Sequence, residues 1–183
     1  MYHPREDSYM LEKEVKNFVS KLNKKQREKL KVLDIGSGSG IQALSCIKSG
    51  IKRENILCAD IDSDCIKHLK KQKLNAIRSD LFSNISENMK FDLIIFNPPY
   101  LPKDKFDNKP DTTAGKRGNE IIIKFLRKAK KYLSKNGTIS LLFSSLSKPK
   151  EILKLSEKLG YKNKKLSELG LFFEKLFVYE FKI

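Results

Sequence analysis

Short apolar segments of strand length alternate along this chain with longer, lysine-rich segments of helical period, and few folds accept such a pattern. "KVLDIG", "NILCADI", "NAIRSDL" and "FDLIIFN" carry apolar runs too short for helices. Between them, "GIQALSCIKSG" reads as a helix closed by Gly50, and "SDCIKHLKKQKL" as a helix with Ser63 at its N-cap. Ahead of them, "DSYMLEKEVKNFVSKL" sets Met10 or Leu11, Val15, Phe18 or Val19, and Leu22 on one face, which predicts a helix from about residue 8 to 23.

After "FDLIIFN" a polar loop with proline and glycine runs to about residue 118. "NEIIIKFLRKAKKYL" then predicts a helix, "NGTISLLFSS" a strand opened by an Asn-Gly turn, and "KPKEILKLSEKLG" another helix. "YKNKKLSEL" and "KLFVYEFKI" read as a closing hairpin.

Strands separated by helices pair in parallel, so the expectation is an α/β fold. It is a doubly wound, mostly parallel sheet of seven strands, with one antiparallel strand supplied by the C-terminal hairpin. A chain of 183 residues, 39% of them hydrophobic, suits one compact domain over residues 1–183.

Cys46, Cys58 and Cys65 are odd in number and lack C-x-x-C spacing, which argues against a disulfide framework or a zinc site and for reduced, buried thiols. The N-terminal "MYHPREDSYMLEKEV" has no apolar core or cleavage signature, and no window approaches a membrane span, so a soluble cytoplasmic protein with no membrane partner is expected. The formal charge of +16 is spread through the chain. It reads equally well as attraction to nucleic acid or the ribosome and as the lysine-rich composition of heat-adapted proteins.

Two stretches carry chemistry. In "VLDIGSGSGIQAL", Asp34 precedes Gly36, Gly38 and Gly40 at a strand-to-helix turn, where the backbone turns sharply and a ligand can approach the main chain. A dinucleotide fingerprint would place its third glycine one residue later. An acid two residues ahead of the first glycine fits the cationic methionine moiety of S-adenosyl-L-methionine better than a pyrophosphate. Asp60 ends the second apolar segment, where an acid can bond ribose hydroxyls, and Asp80 ends the third, where it can accept from an adenine amino group. Each feature alone also reads as an ordinary structural turn or strand-end acid; together they fit one nucleoside crevice.

The second stretch is "NPPY", Asn97 to Tyr100, at the end of the fourth strand. Proline extends the residue before it, and neither Pro98 nor Pro99 supplies an N–H. The turn therefore exposes acceptors, the Asn97 side-chain oxygen and the Pro98 carbonyl, suited to an NH2 group on a planar carbon. Tyr100 stacks on such a group or walls off water. The plainer alternative is a strand-ending turn whose tyrosine packs on the core.

With both motifs in this order, the chain resembles the class I S-adenosylmethionine-dependent methyltransferases, which have a Rossmann-like fold. Within them it resembles the HemK-like branch, which methylates the glutamine amide of the GGQ motif in class I peptide release factors. "YHPREDSYML" resembles that branch's P-x-E-D-[ST] signature, which implies that Glu6, Asp7 and Ser8 pack near the cofactor. By itself the stretch is a polar lead-in that caps the first helix. "TAGKRGNEIIIKFL" resembles the branch's Gly-rich loop, but is one residue shorter and has Lys116 in place of a glycine, so no role passes to Lys116 or Arg117.

The resemblance implies that Asp34, Gly36 and Gly38 line the methionine end of the cofactor, Asp60 its ribose, and Asp80 with Leu81 its adenine. Gly40 and Ile61 count among the cofactor-lining positions, and Asn97 borders both sites. Asn97, Pro98 and Tyr100 would act on the target amide, with Pro99 beside them. About thirty residues precede the first strand, too few for the docking domain of bacterial members. The short form resembles archaeal and eukaryotic members, which implies a small zinc-binding activator protein as partner and the edge near "NAIRSDL" as its seat.

The expected activity is thus N5-methylation of a release factor glutamine. N6-adenine or N2-guanine methylation of RNA or DNA poses the same planar NH2 problem, with base flipping for a duplex. Protein-lysine methylation fits the clamp less well, and a non-catalytic ribosome-binding module would leave the acids without work.

Overall fold

The computed structural model describes residues 3–100 and 118–183. Most of the loop expected after the fourth strand, with Lys116 and Arg117, lies outside the described residues. Seven strands form one sheet: β1 (Val32–Ile35), β2 (Ile56–Asp60), β3 (Asn75–Arg78), β4 (Phe91–Phe96), β5 (Leu133–Ser144), β6 (Lys162–Gly170) and β7 (Lys175–Lys182). Their order is β3-β2-β1-β4-β5-β7-β6. The first five run parallel, and β7 is antiparallel to both β5 and β6. This is the doubly wound sheet with an antiparallel hairpin strand that the alternation predicts.

Among the described residues six α-helices accompany it: α1 (Glu6–Ser20), α2 (Lys24–Lys29), α3 (Ile41–Lys48), α4 (Ser63–Lys71), α5 (Glu120–Ala129) and α6 (Pro149–Lys158). Side chains alternate across the central strands. Leu33, Ile35, Ile94 and Phe96 share a buried cluster with Phe125 of α5 and Ile152 of α6. Val32, Cys58, Leu93 and Ile95 share the other with Leu11 and Val15 of α1, Cys46 of α3 and Leu69 of α4. Burial on both faces is why these strands read as unbroken apolar runs. The three cysteines are buried thiols, and among the described residues no helix is long and apolar enough to cross a membrane.

Several boundaries move for local reasons. The first helix begins at Glu6 and ends at Ser20, because Asp7 and Ser8 form its first turn. A separate short helix, α2, follows; its cap is Asn23, whose side chain accepts from Gln26 N while Gln26 returns a bond to Asn23 N. The N-cap of α4 is Asp62 and not Ser63, since Asp62 Oδ1 accepts from Asp64 N at 2.8 Å.

The third strand stops at Arg78, because the Ser79 hydroxyl bonds Leu81 O and Asn84 N and winds the chain into a turn. The helix after Asn119 ends at Ala129 and tightens into a 3-10 turn, and β5 opens earlier than expected, at Leu133. The Asn136-Gly137 pair does not open the strand. It lies in an irregularity between the Phe91–Leu133 and Leu93–Thr138 pairs, where a Cβ on Gly137 would stand 2.8 Å from Phe91 O.

Candidate active site

The strand order reverses at β1, which has β2 on one side and β4 on the other. In open α/β sheets the crevice beyond such a switch point receives ligands. Both sequence motifs leave the sheet there: Ile35 pairs with Phe96, so Gly36 and Asn97 depart side by side. A Cβ on Gly36 would lie 3.9 Å from Asn97 O.

The glycine turn is tied to β2. Gly36 N and Ser37 N both donate to Ala59 O, at 2.8 and 3.2 Å, and Gly38 N donates to Asp60 Oδ2 at 2.8 Å. Asp60 Oδ1 accepts from Asp62 N at 2.9 Å. Both oxygens are thus engaged by main chain, and each keeps a second lone pair for a hydroxyl. Gly36, Gly38 and Gly40 all have positive φ, but they do different work. A Cβ on Gly38 would meet only Gly36 O, at 3.9 Å, so this part of the turn borders open space. A Cβ on Gly40 would strike Leu69 and Leu74, at 2.8 and 3.0 Å; Gly40 serves the packing of α3 against α4 and its following loop.

Asp34 is buried, and its Oδ2 has no hydrogen-bond partner among the described residues. Desolvation first, and the charge of Asp60 second, push its carboxyl up to about 8. A buried acid with one oxygen unmatched among the described residues, at the end of the strand that leads into the glycine turn, is suited to a cation.

Asp80 follows β3 by two residues and pairs with Lys124 Nζ of α5 at 2.6 Å, both side chains half exposed. Leu81 is left-handed, with φ +53; its side chain joins the core and its carbonyl accepts from Ser79 Oγ at 2.8 Å. Ile61 is exposed beyond the end of β2, and its carbonyl accepts from Arg78 Nε. Glu6 is exposed, whereas Asp7 and Ser8 are buried.

At the end of β4, Asn97 Nδ2 donates to Asp7 Oδ2 at 2.9 Å, and Asp7 Oδ1 accepts from Ser8 N at 2.7 Å. Asn97 Oδ1 is buried without a partner among the described residues. Pro98 is buried, and Pro99 and Tyr100 are half-buried. Tyr100 packs on the core cluster of α1 and α3.

Three contributors escaped the sequence reading. Ser147 holds the Tyr100 carbonyl at 2.8 Å, with nothing in "SSLSK" to announce it. Lys124 partners Asp80 across 44 residues. Gln42 donates to Ser8 O at 2.9 Å and ties the start of α1 to α3; a polar residue on the inward face of "IQALSCIK" was its visible signal.

The chain matches the methyltransferase small domain family over residues 11–164. It belongs to that family. This small-domain methyltransferase is 38% identical over 190 residues to a putative protein N5-glutamine methyltransferase of Methanocaldococcus jannaschii, covering 97% of this chain and 89% of that one. It is 33% identical over 125 residues to the ribosomal protein uL3 glutamine methyltransferase of Francisella tularensis, which is 59% of this chain and 39% of that longer protein. Among solved structures it superposes with a TM-score of 0.78 and 25% identity on a chain of the E. cuniculi Mtq2-Trm112 complex, whose described role is methylation of the eRF1 termination factor. The match covers 99% of this chain and 97% of that one.

Proposed function

We propose that this methyltransferase uses S-adenosyl-L-methionine to methylate the N5 side-chain nitrogen of a protein glutamine, in the GGQ motif of a class I peptide release factor. The observation that carries this reading is that Asn97 Oδ1 and Asp34 Oδ2, on the neighbouring strands β4 and β1, are both buried without a partner among the described residues: an acceptor for an NH2 group and a carboxyl for a cation. Glutamine as the acceptor draws support from the relatives, since the M. jannaschii protein is named for glutamine N5 and the E. cuniculi complex for eRF1.

The residues present fit the cofactor. Asp34 would hold its cationic amino group, the open side of the turn at Gly38 would admit its chain, and Asp60 would hold the ribose. Asp80 and the Leu81 main chain, bordered by Ile61, would hold the adenine. Once bound, S-adenosyl-L-methionine supplies an electrophilic methyl group on a sulfonium.

Asn97 Oδ1 and the Pro98 carbonyl would accept the two hydrogens of the glutamine NH2 and so fix the direction of its lone pair. Their partial charges stabilise the positive charge that grows on nitrogen during transfer, an interaction stronger in the transition state than before it. Holding the two groups in line contributes through proximity. The nitrogen sheds its proton without a strong base, because the methylated cation is acidic.

The reading includes a small zinc-binding activator, by likeness to the complex with Trm112, and a cytoplasmic site of action. Among the described residues β3 pairs with β2 alone, which leaves a sheet edge for such a partner.

A second reading, methylation of a nucleobase amine, draws support from the +16 charge. The test incubates the protein, with and without an activator, with labelled cofactor and either release factor or nucleic acid. Label on the GGQ glutamine is expected; label on RNA or DNA alone overturns the reading. Asn97→Ala is expected to keep cofactor affinity within a few-fold while transfer falls by roughly 10² or more.

A further inference from the structure

We propose that Asp7 is a positioning residue whose carboxylate fixes the direction of the Asn97 side-chain amide, so that Oδ1 and not Nδ2 faces the acceptor nitrogen. The inference rests on the role given to Asn97 above and adds what makes that role possible.

A primary amide turned by 180° keeps its shape but exchanges a carbonyl for an NH2 group. At Asn97 the two orientations have opposite consequences. Oδ1 toward the acceptor receives its hydrogens, whereas Nδ2 would set donors against donors. A carboxylate accepts and never donates, so the 2.9 Å bond from Asn97 Nδ2 to Asp7 Oδ2 selects one orientation. The other oxygen, Asp7 Oδ1, is held by Ser8 N at 2.7 Å and Ser8 Oγ at 3.3 Å. Asp7 therefore cannot turn freely to follow Asn97.

The anchor is rigid beyond that pair. Asp7 lies in the first turn of α1, whose free N–H groups favour a carboxylate. Leu11, Val15 and Val19 bury that helix in the core, and Gln42 grips Ser8 O from α3. The contact bridges 90 residues of sequence. A charged acceptor on Nδ2 also polarises the amide and strengthens Oδ1 as an acceptor while positive charge develops opposite it.

The test is an exchange of the two side chains, read as kcat, KM for release factor and cofactor affinity, with Tm as a check on folding. Asp7→Asn is expected to lower kcat roughly 10–100-fold with cofactor affinity within about 3-fold, since an amide can satisfy both Ser8 N and Asn97 only by turning one of them. Asn97→Asp sets two carboxylates face to face and is expected to be as poor. The double variant D7N/N97D restores one donor facing one acceptor and leaves an oxygen toward the substrate. It is expected to recover at least about 10-fold over the weaker single variant, a coupling that independent effects would not give.

In the unaltered protein, the Asn97 side-chain amide protons should exchange slowly with solvent by NMR, a readout that does not depend on any variant folding. Wild-type kcat in Asp7→Asn, no recovery in the double variant, or freely exchanging Asn97 amide protons would overturn the positioning role. Full activity in Asn97→Ala would instead overturn the function proposed for the site.

Discussion

Asp34 and Asp60 lie at the carboxyl ends of adjacent strands, and the charge of Asp60 adds to the burial that holds the Asp34 carboxyl up at about 8. Hydrogen bonding from the Ala43 main chain and Ser37 pulls the other way but does not offset this. The folded-state pKa is raised above the ordinary 3.8 of the unfolded chain, so between about pH 4 and 8 the folded protein holds a proton that the unfolded chain has lost. Stability from this group is therefore full at low pH and declines as pH rises through that window.

Asp34→Asn should match the unaltered protein in denaturant midpoint near pH 4 and exceed it near pH 8, while losing cofactor binding. Binding of a cation should expel about one proton at pH 7 from the unaltered protein, as the carboxyl ionises beside its partner. Calorimetry in two buffers of different ionisation enthalpy measures this. Equal heats in both would show that Asp34 is already ionised or stays uncharged.

The parts of the site that were legible in the sequence are those fixed by short-range chemistry. "DIGSGSG" and "NPPY" each dictate their own backbone, and the strand order needed to bring them together follows from alternating elements. What could not be read were long-range contacts with no local signature: Asp7 on Asn97, Ser147 on Tyr100 and Lys124 on Asp80. The P-x-E-D-[ST] stretch lies against Asn97 in the fold, a partner that its sequence does not announce. Caps misled where two acceptors were adjacent, as with Asp62 and Ser63, and Asn136-Gly137 misled because a close approach between strands calls for glycine as much as a turn does.

The glycine turn has one position against a wall and one against open space. Gly40→Ala would drive a methyl group against Leu69 and Leu74 at a φ of +81, which costs about 2–4 kcal/mol and should lower Tm by about 4–16 °C. Gly38→Ala meets no such wall and costs about 1–2 kcal/mol from its positive φ alone. For the cofactor the order reverses: Gly38→Ala fills the open side of the turn and should weaken binding by roughly 10-fold or more, against a few-fold for Gly40→Ala. Melting curves paired with binding isotherms decide this. A larger loss of affinity at Gly40 than at Gly38 would mean that the ligand approaches from the other side.

The hairpin between β6 and β7 bears on whether the acceptor is a protein or a base. β7 starts where β5 ends, with Leu176 opposite Ser144, and Lys175 N donates to Ser145 Oγ. The hairpin tip thus stands on the side of the sheet where Ser147 holds Tyr100. There Phe172 and Phe173 are 92% and 86% exposed, touching each other edge to face at 4.7 Å. At that exposure the two rings bury little surface in the fold, and exposed aromatic surface at this end of the sheet suits contact with a polypeptide. Replacing both with alanine should leave Tm, cofactor affinity and turnover of a short glutamine peptide unchanged, while raising KM for intact release factor by about 10-fold. A parallel loss on peptide and protein would place the pair inside the catalytic pocket. No loss on either would remove the hairpin from acceptor recognition and leave the Asn97 turn to select its substrate alone.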